Sequence, residues 1–242
     1  MTADRFRNVF AQATPVIGML HLAGADPVRR AIEELVIYEQ EGISGAIVEN
    51  YHGDISDVER TLEAIAIRGT PLRTGVNVLP NEFLIAYDLA KRYGASFIQL
   101  DHVAGTYTRG RLPARAYQDC RDAHSDILVL GGVWPKYYTP LPGSDLEADI
   151  RTGMARADAI VVTGMGTGKE TPLEKLQEFR RIVGTSYPLI VGAGLRAGNA
   201  RAQLHLADAA IVGSAFKPAG DTREQVERER VKSVMAAISD RR

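Results

Sequence analysis

Glu49 closes the apolar run Ala46-Ile47-Val48, and a charged residue at the end of such a run points into the space above a buried strand rather than into bulk water. Proton transfer is the chemistry such a carboxylate serves; an ion-paired or helix-capping carboxylate is the plainer alternative. The other apolar runs also end in polar or small residues: His21, Asn77, Asp101 with His102, Trp134 with Lys136, Thr163 with Gly164, Gly192 with Gly194, and Gly213 with Ser214. Asp101 and His102 are sequence neighbours, which face opposite ways on a strand, so one turns inward and Asp101 is the expected one. His21 offers an acid, a hydrogen-bond donor or a metal ligand. Lys136 suits an oxyanion partner, a base or an imine former. Asn50, which follows Glu49, and Asn77 are suited to orienting hydroxyls. Trp134, Tyr137 and Tyr138 form either a stacking surface or a hydrophobic lid.

The last two runs carry a different chemistry. Val191-Gly192-Ala193-Gly194-Leu195 and Val212-Gly213-Ser214-Ala215-Phe216 offer backbone N–H groups unshielded by side chains, together with the Ser214 hydroxyl. Such turns bind phosphate without much net positive charge. His102, Thr163 and Gly164 join Asn50, Asn77, Gly192, Gly194, Gly213 and Ser214 as expected substrate contacts, with Arg196 or Lys217 as local sources of positive charge. Gly192 to Ala197 also fits G-x-G-x-x-A, a weak signal so near the end of the chain. Gly164-Met165-Gly166-Thr167-Gly168-Lys169-Glu170 fails the Walker spacing, because Glu170 stands where Ser or Thr would hold magnesium, and reads as a glycine-rich lid or a long turn.

His21, Glu49, His52, Asp54, Asp101 and His102 would have to converge from separate loops to hold a divalent ion, and no pair forms a compact ligand motif. No cofactor is expected, with a divalent metal as the minor alternative. Cys120 is the single cysteine and sits among Gln118, Asp119, Arg121 and Asp122, a setting for a solvated helix rather than a reactive thiol.

These residues need elements to position them. Apolar runs rich in β-branched residues at 16–20, 45–49, 74–78, 97–100, 127–130, 159–163, 189–191 and 209–212 alternate with helically spaced segments. That alternation builds a parallel sheet whose strands are buried on both faces. Asp26 with Pro27 starts one helix and Gly42 ends it. Ser56 with Glu59, Ser144 with Glu147 and Thr171 with Glu174 have capping-box spacing. Val231, Val234, Met235 and Ile238 stripe a final helix. Ala157-Asp158-Ala159-Ile160-Val161-Val162 returns as Ala207-Asp208-Ala209-Ala210-Ile211-Val212, as repeated βα units would. The expected fold is α/β, a (β/α)8 TIM barrel forming a single domain over residues 1–242, with its site at the C-terminal ends of the strands.

With 242 residues, 45% apolar and 24% charged, the chain has material for one sizeable core. A formal net charge of -1 gives no field to gather nucleic acid or an anionic membrane, so a small phosphorylated substrate held locally is the expected partner. The start of the chain lacks the apolar core of a signal peptide and no apolar stretch reaches spanning length, so no membrane insertion and a cytoplasmic location are expected.

Across most of its length the chain resembles the BtpA/SgcQ family. The resemblance rests on Val16-Ile17-Gly18-Met19-Leu20-His21-Leu22, Ile47-Val48-Glu49-Asn50-Tyr51, Gly75-Val76-Asn77-Val78-Leu79, Ile160-Val161-Val162-Thr163-Gly164 and Ile211-Val212-Gly213-Ser214-Ala215-Phe216-Lys217. It implies a (β/α)8 barrel and is compatible with a homo-oligomer. One branch is associated with photosystem I biogenesis, another with sugar uptake and metabolism. This chain departs from the pattern at Asp101 to Thr106 and Gly132 to Tyr137. The leading expectation is an enzyme that uses acid/base chemistry on a phosphorylated sugar or ribosyl compound, by isomerisation, lyase chemistry or glycosidic cleavage. A non-catalytic assembly factor and a flavin-binding barrel are the alternatives.

Overall fold

A computed structural model describes residues 2–239. The chain opens with α1 (Thr2–Val9) and continues β1 (Val16–Leu20), α2 (Pro27–Gln40), β2 (Gly45–Glu49), α3 (Ile55–Arg68), β3 (Arg73–Asn77), α4 (Phe83–Tyr93) and β4 (Phe97–Leu100). A small hairpin follows, β5 (Thr106–Tyr107) with β6 (Gly110–Arg111), and then α5 (Ala114–Ala123) and β7 (Leu128–Gly132). The remainder is α6 (Leu146–Arg156), β8 (Ala159–Val162), α7 (Leu173–Val183), β9 (Leu189–Val191), α8 (Ala200–Leu206), β10 (Ala209–Val212), two short 3-10 turns and α9 (Arg228–Ser239). β1–β4 and β7–β10 pair in parallel and close on themselves as an eight-stranded barrel. This is the (β/α)8 fold that the alternation of runs and helices predicts.

Alternation along each strand divides the core in two. Ile17, Met19, Ile47, Phe97, Leu128, Leu130, Val161, Ile190 and Ile211 pack inside the barrel, whereas Val16, Leu20, Val48, Val76, Ile98 and Val129 pack outward against the helices. The inward set ends upward in polar residues: Met19 leads to His21, Ile47 to Glu49 and Phe97 to Gln99 and Asp101. The step of two residues that keeps a strand's side chains on one face thus carries the interior column into the mouth.

α1 is absent from the sequence expectations. Its Phe6 and the following Phe10 join the interior cluster and fill the lower end of the barrel, while Arg5 pairs with Asp158 at 2.8 Å. The signal was present, because Phe6, Val9 and Phe10 have helical spacing.

The proposed capping boxes need correction. α3 is capped reciprocally by Asp54 and Asp57, and α6 by Asp145, whose side chain accepts from Ala148 N–H. α7 begins at Pro172 without a side-chain cap, and the Thr171 hydroxyl donates instead to Ala193 O at 3.3 Å. In each of these helices the residue nearest the entering chain already serves, or the hydroxyl is engaged across the mouth, so the Ser or Thr at capping spacing is not needed. Asp26 and Pro27 start α2 as the sequence predicts.

Candidate functional site

The barrel mouth holds a cavity of about 170 Å3, more than the roughly 150 Å3 that accepts a benzene-sized molecule. On one side it is lined by Glu49, Gln99 and Asp101, and on the other by Gly192, Gly194, Gly213 and Ser214, with His21 against Gly213. Lys136, Tyr137, Tyr138, Thr167 and Arg109 form its upper wall.

Glu49 is buried at the end of β2 and accepts from Asn77 Nδ2 at 2.7 Å, its register partner on β3. Its pKa is raised to about 7, chiefly by burial with a further push from nearby Asp101, against the opposing pull of Lys136 and the Asn77 hydrogen bond. Such a carboxyl exchanges a proton near neutrality. Asp101 faces the same cavity and accepts from Tyr138 OH at 3.0 Å; burial raises its pKa as well. Burial, with the charges of Lys217 and Lys136, holds His21 well below its ordinary value, so the ring is neutral. Its Nδ1 is buried without a partner.

Lys136 reaches Thr167 Oγ1 with its Nζ at 2.8 Å. The same hydroxyl meets Tyr51 OH at 3.0 Å and Tyr137 OH at 3.2 Å, and Thr167 N–H donates to Tyr137 OH at 2.9 Å. A hydroxyl has one proton and two lone pairs, so these three neighbours saturate it. The glycine-rich segment 164–170 is therefore held at the mouth by these contacts, with Thr167 and Gly168 in its lining.

The two glycine turns face one cavity. Gly194 has φ +66, a left-handed conformation, and a Cβ there would stand 2.4 Å from Glu170 N in the lid. At Gly213 a Cβ would stand 2.6 Å from the His21 ring. Both positions need glycine, one for its backbone and both for the close approach. The N–H groups of Gly194 and Ser214 donate to no protein acceptor among the described residues. A second concavity continues outward from these turns, with Lys169, Arg196 and Arg230 along it.

Several expected contacts lie elsewhere. Asn50 is locked to Leu79, donating to its carbonyl at 3.3 Å and accepting from its N–H at 2.7 Å. His102 is buried against the Tyr107 and Tyr138 rings, outside the cavity lining, as its opposite facing to Asp101 requires. Thr163 accepts from Lys136 N–H at 2.7 Å and so positions that residue's backbone, and Gly164 lies under the lid backbone of Lys169 and Glu170. Lys217 borders the second concavity with Gly194 and Ser214, but its ammonium is engaged elsewhere. It is buried and donates to Glu34 Oε1 at 3.2 Å and to the carbonyls of Thr222 and Glu224. Arg196 pairs with Glu170 at 2.9 Å. Trp134 turns away from the cavity and donates to Asp149 at 2.9 Å. Among the described residues no three His, Cys, Asp or Glu side chains converge into a metal-holding group.

Gln99, Arg109, Tyr51 and Thr167 line the mouth without having been singled out in the sequence. A polar residue inside the buried run Phe97-Ile98-Gln99-Leu100 was the signal for Gln99. Arg109 sits at the tip of the β5–β6 hairpin, 5.7 Å from the centre of the Tyr138 ring, and no motif marked it. Lys175, its pKa lowered to about 8 by burial, donates to Trp134 O and Thr163 O and ties together the loops after β7 and β8.

The BtpA family profile matches residues 12–240. An uncharacterized protein of Pyrococcus furiosus is 32% identical to the chain, covering 90% of it and 92% of the relative. The photosystem I biogenesis protein BtpA of Synechocystis is 26% identical, covering 98% of this chain and 92% of its own. Among solved structures, thiamine phosphate pyrophosphorylase of Pyrococcus furiosus superposes with a TM-score of 0.66 at 13% identity, over 97% of this chain and 98% of the other. N-(5'-phosphoribosyl)anthranilate isomerase of the same organism gives 0.62 at 15% identity, over 94% and 99%. At these identities the structural likeness is one of fold, whereas the sequence match spans nearly the whole chain: this protein belongs to the BtpA family.

Proposed function

We propose that this barrel is an enzyme of acid/base chemistry acting on a phosphorylated sugar or ribosyl compound. The observation that carries the reading is one cavity with two unlike ends. The turns at Gly194 and Gly213-Ser214 leave backbone donors free on one side, and a buried carboxyl poised near neutrality stands on the other. The donors anchor phosphate, Glu49 moves a proton at the far end of the ligand, and Asp101 assists it. Lys136, a cation above the cavity, steadies negative charge that develops between them. Names of fold neighbours such as thiamine phosphate pyrophosphorylase and phosphoribosylanthranilate isomerase accord with phosphate-bearing ligands.

The name of the Synechocystis relative favours a second reading, an assembly factor that retains the barrel. A thermal-shift panel of phosphosugars, nucleotides, flavins and inorganic phosphate separates the two. A ligand at about 100 times its dissociation constant adds roughly 2.7 kcal/mol, and the enzyme reading expects that shift with phosphosugars. Ser214→Asp places a like charge against the anion and is expected to abolish it. A shift that survives the substitution would remove these turns from the site, and no shift with any phosphorylated compound would favour the assembly factor.

A further inference from the structure

One polar side chain in the cavity is used by none of the steps above. Gln99 lies on β4 between Phe97, which packs in the barrel interior, and Asp101, which faces the mouth. Its carboxamide has no hydrogen-bond partner among the described residues, and its Oε1 is buried. β3 and β4 pair with Val76 beside Ile98, which sets Gln99 level with Asn77, and Asn77 in turn is level with Glu49. Glu49, Asn77 and Gln99 thus form a polar row across three adjacent strands, with Asp101 one step higher on the same face as Gln99. In the same row Asn77 Oδ1 is also buried without a partner.

A buried amide oxygen with nothing to bond is destabilising, and in native proteins each such group calls for an explanation. Here the group borders a cavity, so a ligand entering it meets an amide free to bond. The chemistry of that ligand follows from what surrounds the amide. A hydroxyl both donates and accepts, so two adjacent hydroxyls can satisfy the Gln99 amide and the Asp101 carboxyl together. A second anionic group at this level would stand beside the carboxyls of Asp101 and Glu49, which repel it, while Lys136 and Arg109 lie in the upper wall. An apolar or flat ring would leave the amide unpaired. We infer that Gln99, with Asp101, reads adjacent hydroxyls on the non-phosphorylated part of the ligand, making Gln99 a specificity-determining residue for a polyol phosphate such as an aldose phosphate. The inference rests on the proposed phosphate anchor at Gly194 and Ser214 and extends it to the opposite end of the cavity.

Calorimetric titration of the full chain with D-ribose 5-phosphate, n-pentyl phosphate, inorganic phosphate and flavin mononucleotide tests this. The wild type is expected to bind ribose 5-phosphate at least about tenfold more tightly than pentyl phosphate, the worth of one or two well-made hydrogen bonds. Gln99→Leu should erase most of that preference while leaving inorganic phosphate binding unchanged, which also reports that the variant is folded. Gln99→Glu, which sets a second acidic group beside Asp101, should weaken ribose 5-phosphate at least as much. Equal binding of ribose and pentyl phosphates by the wild type would overturn the inference, as would a preference indifferent to both substitutions. So would tight flavin mononucleotide binding that Gln99→Leu leaves intact. Inorganic phosphate that fails to bind while ribose 5-phosphate binds in a Gln99-dependent way would sink the anchor and leave the hydroxyl reader standing.

Discussion

Glu49 is raised because burial strips solvent from its charged form, and the cation and amide beside it only partly compensate. If it moves a proton in catalysis, Glu49→Gln should lower turnover by about a hundredfold or more, and the inflection near pH 7 in kcat/KM should vanish with it. The same shift bears on stability. The folded value of about 7 lies above the ordinary 4.5, so folding favours the protonated form. That contribution is complete below about pH 4.5 and lost as pH rises through about 7. Denaturant titrations should therefore show Glu49→Gln gaining on the wild type between about pH 4.5 and about pH 7 and holding that gain above it, and parallel curves from pH 5 to 9 would contradict the shift. Glu49 and Asp101 were legible in the sequence because each follows an apolar strand at a step that keeps it on the inner face. Gln99 was harder to see inside its apolar run. Lys217 misled, since a lysine beside a glycine turn looks like an anion partner until Glu34, far away in sequence, is seen to claim it.

Among the elements, the lid depends on tertiary contacts more than on its own sequence. Its glycines were visible, but the latch forms from Tyr51, Lys136 and Tyr137, which come from other loops and meet at one hydroxyl. Thr167→Val keeps the shape and removes that hydroxyl. It should leave global stability nearly unchanged, increase proteolytic nicking near Met165, which is 84% exposed, and raise KM for the substrate more than it lowers kcat. A lid as protease-resistant as the wild type's would mean that glycine packing, rather than the latch, holds it. Helix ends were less legible than helix bodies, because Asp54, Ser56 and Asp57 all suit a cap and only the path of the entering chain decides among them.

At the scale of the molecule, the repeat of Ala157-Asp158 as Ala207-Asp208 has a physical cause. Each aspartate accepts from an N–H near the start of the preceding barrel strand, Val129 and Leu189, at 2.8 Å, and its own N–H donates back to the same residue at 2.8 Å. The echo therefore marks one clamp used twice at the lower rim. No helix among the described residues is long and apolar enough to cross a membrane. α1 closes the lower end, so Phe10→Ala should cost about 3–5 kcal/mol in chemical denaturation; a loss below about 1 kcal/mol would show that the plug is dispensable. With aromatic rings stopping the bottom, reactant and product share a single doorway at the top. Traffic through the proposed enzyme is then one-way at any instant: the spent molecule has to leave before its successor arrives, and whatever lingers there occupies the newcomer's seat.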